Sequence, residues 1–409
     1  MRNRSLTTIA VVLTAGALAI TGCSSSKTKS GGGLQGGTSP TAGSTNSGGA
    51  ASGKTYTIGF EMPLSGPNAQ LGINEEYGAE IAVQQANADS SLGFKVKYVT
   101  SDDEGDPTKS PAAANQLTQN PAVLGVIGPS FSGNTTASGP IYAAAGMPFI
   151  TPSATNATLG THGWATYHRI VPNDNVEGSQ GADWMARHGV KKLFVLQDLS
   201  TYGKGVGDTV TKEAKAKGIS VTEQGLDGTA TSNYNPIAQT IANSGADALF
   251  YGGYDAQAAL LAKALKGTSF KGIAVGGNGI KSSVFTKNSG TAGNNWYMTC
   301  GCQDATVAPG SKAFSTAYQA KFHQAPSTYS PESFDATNAL IQAIKTAAAS
   351  GAPTRQSVND AVNKIDYKGI TTEIKFQSNG EIVTSAQTVN LYQQKNGAIV
   401  ELGNIKDQN

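Results

Sequence analysis

The sequence predicts an α/β protein of two doubly wound parallel-sheet lobes, and three observations lead there. Short apolar, β-branched runs alternate with helix-length segments in two successive blocks, the pattern of strands buried on both faces and joined by crossover helices. Beyond a low-complexity start the chain has about 355 residues, more than one hydrophobic core usually holds. Small, polar turns follow the strands, as they do at the carboxyl ends of a parallel sheet.

Taken in order, residues 1–22 read as an export signal. Arg2 and Arg4 form the charged start, residues 6–20 are apolar but short for a stop-transfer helix, and the run ends Ile20-Thr21-Gly22-Cys23. Small residues directly before a Cys resemble the lipobox of bacterial lipoproteins, which implies diacylation of Cys23 and a lipid anchor on the extracytoplasmic face of the cell membrane. Residues 23–53 are then the lipidated Cys and a Ser/Gly-rich tether with no apolar run able to offset the entropy of ordering it. A coil of about thirty such residues reaches roughly 30 Å.

The body opens with a strand at 56–60, a helix face through Tyr77 and Ile81, and a strand at 94–100 that ends at Asp102-Asp103-Glu104. The central unit is 123–156. Its strand at 123–127 stops at Gly128-Pro129, a hydroxyl- and amide-rich run leads into a helix over 137–145, and a strand at 147–150 ends in a second polar turn, Thr151-Pro152-Ser153-Ala154-Thr155. Free N–H groups at a helix start beside short hydroxyl side chains make a site for a carboxylate or phosphate; caps of the helices alone would also account for each turn. A strand at 167–171 completes the first block. In the second, strands at 193–196, 219–223, 248–251 and 273–275 alternate with helices at 206–216, 237–243 and 256–265.

Composition narrows the function. A formal net charge of +2 and the lack of a basic stripe interleaved with aromatics argue against a nucleic-acid partner. No phosphate-loop motif and no nucleophile elbow occurs, and in the glycine-rich run 203–208 the third glycine position is Asp208, which would repel a pyrophosphate. The four His do not group with a Ser and a carboxylate. No cofactor or metal is expected, and zinc is disfavoured because Cys300 and Cys302 have no second ligand pair. In an exported protein that pair fits either a tight Cys-x-Cys disulfide or two buried thiols, with the bridge favoured.

With these turns in place the chain resembles a known family. The stretch Pro63-Leu64-Ser65-Gly66-Pro67-Asn68-Ala69-Gln70-Leu71-Gly72, then Ile127-Gly128, the 150–155 turn, the spaced pattern from Arg169 to Gly178, Tyr202-Gly203 and Tyr251-Gly252-Gly253-Tyr254 are similar to the leucine/isoleucine/valine-binding proteins. These are type I periplasmic substrate-binding proteins of branched-chain amino acid ABC transporters, and the resemblance covers residues 54–409. It implies a first lobe of 54–173 plus 303–373 and a second of 174–302 plus 374–409, joined by a three-segment hinge. It implies a non-enzymatic monomer that holds a small carboxylate-bearing solute, an amino acid above all, between the lobes and passes it to a membrane permease. A ligand-sensing module, or a carrier of an amide, urea or non-amino carboxylate, is the alternative.

Carried over residue by residue, the resemblance places Ser132, Ser153 and Thr155 on the ligand carboxylate, Tyr202 and Tyr254 as second-lobe rings that close over the solute, and Asp174 near hinge and ligand. Two positions depart from the family. Leu71 stands where it has an aromatic, and Asn278 where it has the acid that receives the ligand ammonium. An amide can accept from an ammonium but carries no charge, and charge-assisted bonds are roughly twice as strong.

Overall fold

The computed structural model describes residues 53–408; the export signal, Cys23 and almost all of the tether lie outside them. Within Gly49–Asn409, a single compact unit, the chain builds two large sheets and one small two-stranded one. The first block supplies β1 (Thr55–Met62), α1 (Ala69–Ala88), β2 (Lys95–Asp102), α2 (Ser110–Thr118), β3 (Val123–Ile127), α3 (Ser132–Ala144), β4 (Phe149–Thr151) and β5 (Tyr167–Arg169). Its five strands run parallel in the order β2-β1-β3-β4-β5.

The second block runs α4 (Asp174–Arg187), β6 (Lys192–Gln197), α5 (Thr201–Ala216), β7 (Ser220–Gly225), α6 (Asn235–Asn243), β8 (Ala248–Gly252), α7 (Asp255–Lys266), β9 (Ile273–Gly276), α8 (Ser283–Ser289) and β10 (Tyr297–Cys300). The chain then returns to the first sheet with α9 (Lys312–Phe322), α10 (Ser330–Ala348) and α11 (Arg355–Val362), where α10 packs on α1 and both α10 and α11 touch β3. A small antiparallel pair, β11 (Tyr367–Lys368) and β12 (Glu373–Ile374), precedes β13 (Asn390–Lys395) and β14 (Ala398–Asn404). The last two close the second sheet, ordered β14-β13-β10-β9-β8-β6-β7, in which β13 is antiparallel to both its neighbours.

This is the two-block, doubly wound α/β architecture expected. The central strands β3 and β8 are buried along their whole length, which is why they read as unbroken apolar runs. Each sheet has a packed layer of its own, with Val123, Val126, Tyr142 and Phe149 in the first and Leu193, Val195, Val210 and Phe250 in the second.

Three segments connect the two sheet systems: after β5, after β10 and after β12. They are tied to one another. The guanidinium of Arg169, fully buried, donates to Glu381 on the third segment, with Nε to Oε2 at 3.1 Å, and to the carbonyls of Ala154 and Asn156 at 2.9 and 2.8 Å. Pro172 on the first segment lies so close to Gly301 on the second that a Cβ there would come within 2.6 Å of its ring. Cys300 and Cys302, flanking that glycine, are joined by a disulfide. Among the described residues no helix is long and apolar enough to cross a membrane.

The sequence reading assigns no element after 275, so α8, β10, α9, α10, α11 and β11 to β14 go unread, the antiparallel β13 and β14 among them; within the elements it does assign, the main differences are at helix starts. α3 begins at Ser132 and α5 at Thr201, each five residues before the expected start at 137 or 206. The polar and glycine-rich residues that read as loop are first turns, because helix N-termini accept small polar residues that helix interiors disfavour. The run 203–208 therefore lies inside α5, where Lys204 pairs with Asp208 at 2.7 Å.

Candidate functional site

Gly128 ends β3 with a φ of +111°, and any Cβ there would collide with the carbonyl of Glu61. Only glycine can make this turn, which sets Ser130, Phe131 and Ser132 at the end of the strand. Phe131 is the N-cap of α3 and offers no side-chain acceptor, so the first N–H groups of the helix are left uncapped. Ser132 does not cap; its hydroxyl accepts from the Asn156 N–H at 3.1 Å. Ser153 donates to the Ser130 carbonyl at 2.7 Å, and Thr151 to the Pro129 carbonyl at 2.7 Å. The two polar turns are thus stitched into one rigid surface.

Facing this surface are residues at the ends of the second sheet. Tyr202 sits in the first turn of α5, whose N-cap Ser200 accepts from Gly203 N–H at 2.9 Å, and its own hydroxyl accepts from Gly279 N–H at 3.1 Å. Tyr254 packs its ring 5.3 Å from that of Tyr202 and 4.6 Å from that of Phe131. Polar ties join the sides: Asn68 donates to Asp255 at 2.6 Å, and Asn156 to the Thr201 carbonyl at 2.7 Å.

Between them is a narrow cavity of about 10 Å³, walled by Leu71, Ser132, Ser153, Tyr202, Tyr254 and Asn278 from the sequence reading, and by Glu75, Ser130, Phe131, Gly279 and Tyr329 besides. That is room for about one water molecule, so the two sides are nearly closed on each other. Thr155 and Asp174 stand behind this wall. The Thr155 hydroxyl accepts from the Asn278 amide at 3.4 Å, and its carbonyl accepts from the Asp174 N–H at 2.8 Å. Burial, and then the charge of Glu177, push the Asp174 carboxyl up to about 8, against the lowering effect of the Thr155 hydroxyl.

The position of Asn278 has an explanation that the sequence did not give. Glu177, fully buried on α4, accepts from the Asn278 backbone N–H at 2.9 Å, from its side-chain amide at 2.7 Å and from the Thr299 hydroxyl at 2.8 Å. Since the carboxylate is an acceptor, it fixes the amide nitrogen inward and leaves the amide oxygen for the cavity. Burial raises the Glu177 carboxyl to about 7, against the lowering effect of these three donors.

Sequence reasoning passed over five wall residues. Ser130 and Phe131 adjoin Ser132 and could have been taken with it. Glu75 is one helical turn beyond Leu71, and that spacing on one helix face was the available signal. Tyr329 had none: it precedes α10 at a φ of +65°, a left-handed backbone uncommon for a bulky side chain, and its ring is buried with an unpartnered hydroxyl.

The sequence profile described as periplasmic binding protein matches residues 55–398. The Leu/Ile/Val-binding protein BraC3 of Rhizobium johnstonii is 28% identical over 347 residues, covering 84% of this chain and 93% of its own. Among solved structures, the branched-chain amino acid transporter substrate-binding protein LivJ of Streptococcus pneumoniae, in complex with isoleucine, superposes with a TM-score of 0.76 at 24% identity, covering 85% of this chain and 100% of its own. A solute-binding protein of an ABC transporter from R. palustris, in complex with benzoate, gives 0.77 at 21%, covering 86% and 96%. The chain belongs to the periplasmic binding protein family, and its named relatives there include leucine/isoleucine/valine-binding proteins.

Proposed function

We propose that this chain is the solute-capturing component of an ABC importer, exported, held on the outer face of the membrane through a lipidated Cys23, and closing its two lobes over one small amino acid. The observation that carries the reading is the cavity wall. Loops from the ends of both sheets contribute to it, so a solute held there touches both sides and favours the closed arrangement. The three tied connecting segments support a hinge, with residues 54–173 plus 303–373 on one side and 174–302 plus 374–409 on the other. Hydroxyls and the uncapped start of α3 suit a carboxylate, and the relatives' names point to amino acids. The named relatives are binding proteins, which supports binding without turnover.

A thermal-shift screen of amino acids, amides and small carboxylates tests this. A true solute at 100 times its Kd adds ~2.7 kcal/mol to stability. No shift from any member of such a panel would overturn the reading.

A further inference from the structure

Glu75 has no counterpart in what a pocket for an aliphatic side chain requires. It is fully buried on α1, yet it forms part of the cavity wall. The Ser130 hydroxyl donates to its Oε2 at 2.7 Å, while Oε1 has no hydrogen-bond partner. A second unpartnered polar atom, the Tyr329 hydroxyl, belongs to the same wall, and the hydroxyl-bearing Ser130 and Ser153 complete it beside Leu71. The charged groups that act on Glu75 from neighbouring elements are Asp103, after β2, and Glu332, on α10, both acids. No base is among the charged groups that act on it.

A carboxyl oxygen kept dry and unpaired is costly to retain unless something brings it a donor. An aliphatic side chain closed against it would leave that cost unrelieved. We propose that Glu75 selects the solute: the cavity takes a small amino acid whose far end presents an N–H donor, an amide or an ammonium group, in preference to one of the same shape ending in methyl groups. This rests on the solute-capture reading above and names the class of solute for the same site.

The two donor types make different demands on the proton. Burial holds the Glu75 carboxyl up at about 8, against the lowering effect of the Ser130 and Ser153 hydroxyls, so near neutral pH the unliganded side chain is largely protonated. An ammonium end draws that proton off to solvent and pairs with the carboxylate. An amide end can donate its N–H to Oε1 and leave the proton on Oε2, where it turns to the Ser130 hydroxyl oxygen.

Isosteric pairs decide the matter in calorimetry on the purified full-length protein: asparagine against leucine, and 2,4-diaminobutyrate against norvaline. In at least one pair the donor-bearing member should bind roughly 10-fold or more tightly, because a site with a buried polar group rejects the analogue that leaves it unpaired. Repeating the titration at pH 7 in buffers of different ionisation enthalpy identifies the source, with close to one proton released for an ammonium end and close to none for an amide. Glu75→Leu should abolish or invert the preference. If that variant does not fold, the wild-type pairs still decide. Leucine and norvaline binding at least as tightly as their partners would overturn the proposal and leave solute capture standing; silence from all four amino acids would overturn both.

Discussion

Two buried glutamates serve this site, Glu75 in the cavity wall and Glu177 behind Asn278, and their surroundings separate their roles. Glu177 spends both oxygens on three donors, the Asn278 backbone and amide and the Thr299 hydroxyl. Glu75 spends one oxygen on Ser130 and keeps the other unpaired at the cavity wall. Residue type and burial are shared, so neither property tells a fixture from a reader. What distinguishes them is whether the acceptor capacity has been filled from within the fold. Glu177 orients Asn278 and is itself consumed by doing so; Glu75 is left with capacity for something the chain does not supply.

The largest effect should come from emptying the filled acid. Glu177→Ala strands three buried donors, each costing about 1–3 kcal/mol when unsatisfied, so urea unfolding should show a loss of at least ~3 kcal/mol. A loss under 1 kcal/mol would mean that the Asn278 network is not what holds this corner.

The next effect is on the pH dependence of the unliganded protein. Glu75 and Asp174 are raised to about 8 and Glu177 to about 7, above the usual carboxyl range, chiefly by burial. Near neutral pH the folded chain therefore holds protons that the unfolded chain has already released, and stability falls as pH rises until these groups ionise in the fold, near pH 8. His168, lowered to about 4 by burial, acts in the opposite sense, but only as pH falls below its unfolded value of about 6.5. Between pH 6.5 and 8 the acids govern. Urea midpoints should drop across that window, with a slope of up to about 1.4 kcal/mol per pH unit for each proton held, and Glu75→Leu should remove one proton's share. A midpoint that rises with pH there would contradict the neutral state of these carboxyls.

The smallest effect should be that of Glu75→Leu on stability itself. It strands only the Ser130 hydroxyl and buries apolar atoms in exchange, so the change should stay within about 1 kcal/mol. A loss as large as that of Glu177→Ala would show Glu75 to be a second fixture, and the contrast between the two acids would collapse.

The fold was largely legible because its signals are local. Strands such as 123–127 and 248–252 are short β-branched runs, and their alternation with helices implies a parallel sheet whatever the rest of the chain does. Helix starts were less legible: Ser132 and Thr201 look like loop residues, and a first turn tolerates them equally well. The polar turns around Ser132 and Ser153 were legible as a pair, since both follow adjacent strands.

By itself, then, the sequence determined the two-block α/β architecture, the polar turns at the strand ends and six side chains that share the cavity wall: Leu71, Ser132, Ser153, Tyr202, Tyr254 and Asn278. The architecture and the turns with Ser132 and Ser153 follow from periodicity and turn chemistry, which act over a few residues, whereas Leu71, Tyr202, Tyr254 and Asn278 came only through the resemblance to the leucine/isoleucine/valine-binding proteins. Only the tertiary structure decided that Thr155 and Asp174 stand behind that wall, that Glu177, a hundred positions before Asn278, fixes its amide, and that Tyr329 arrives from the far end of the chain. The reason is physical: whether a buried polar atom is paired depends on partners brought together by three chain crossings, and no local pattern records which acceptor will be left with none.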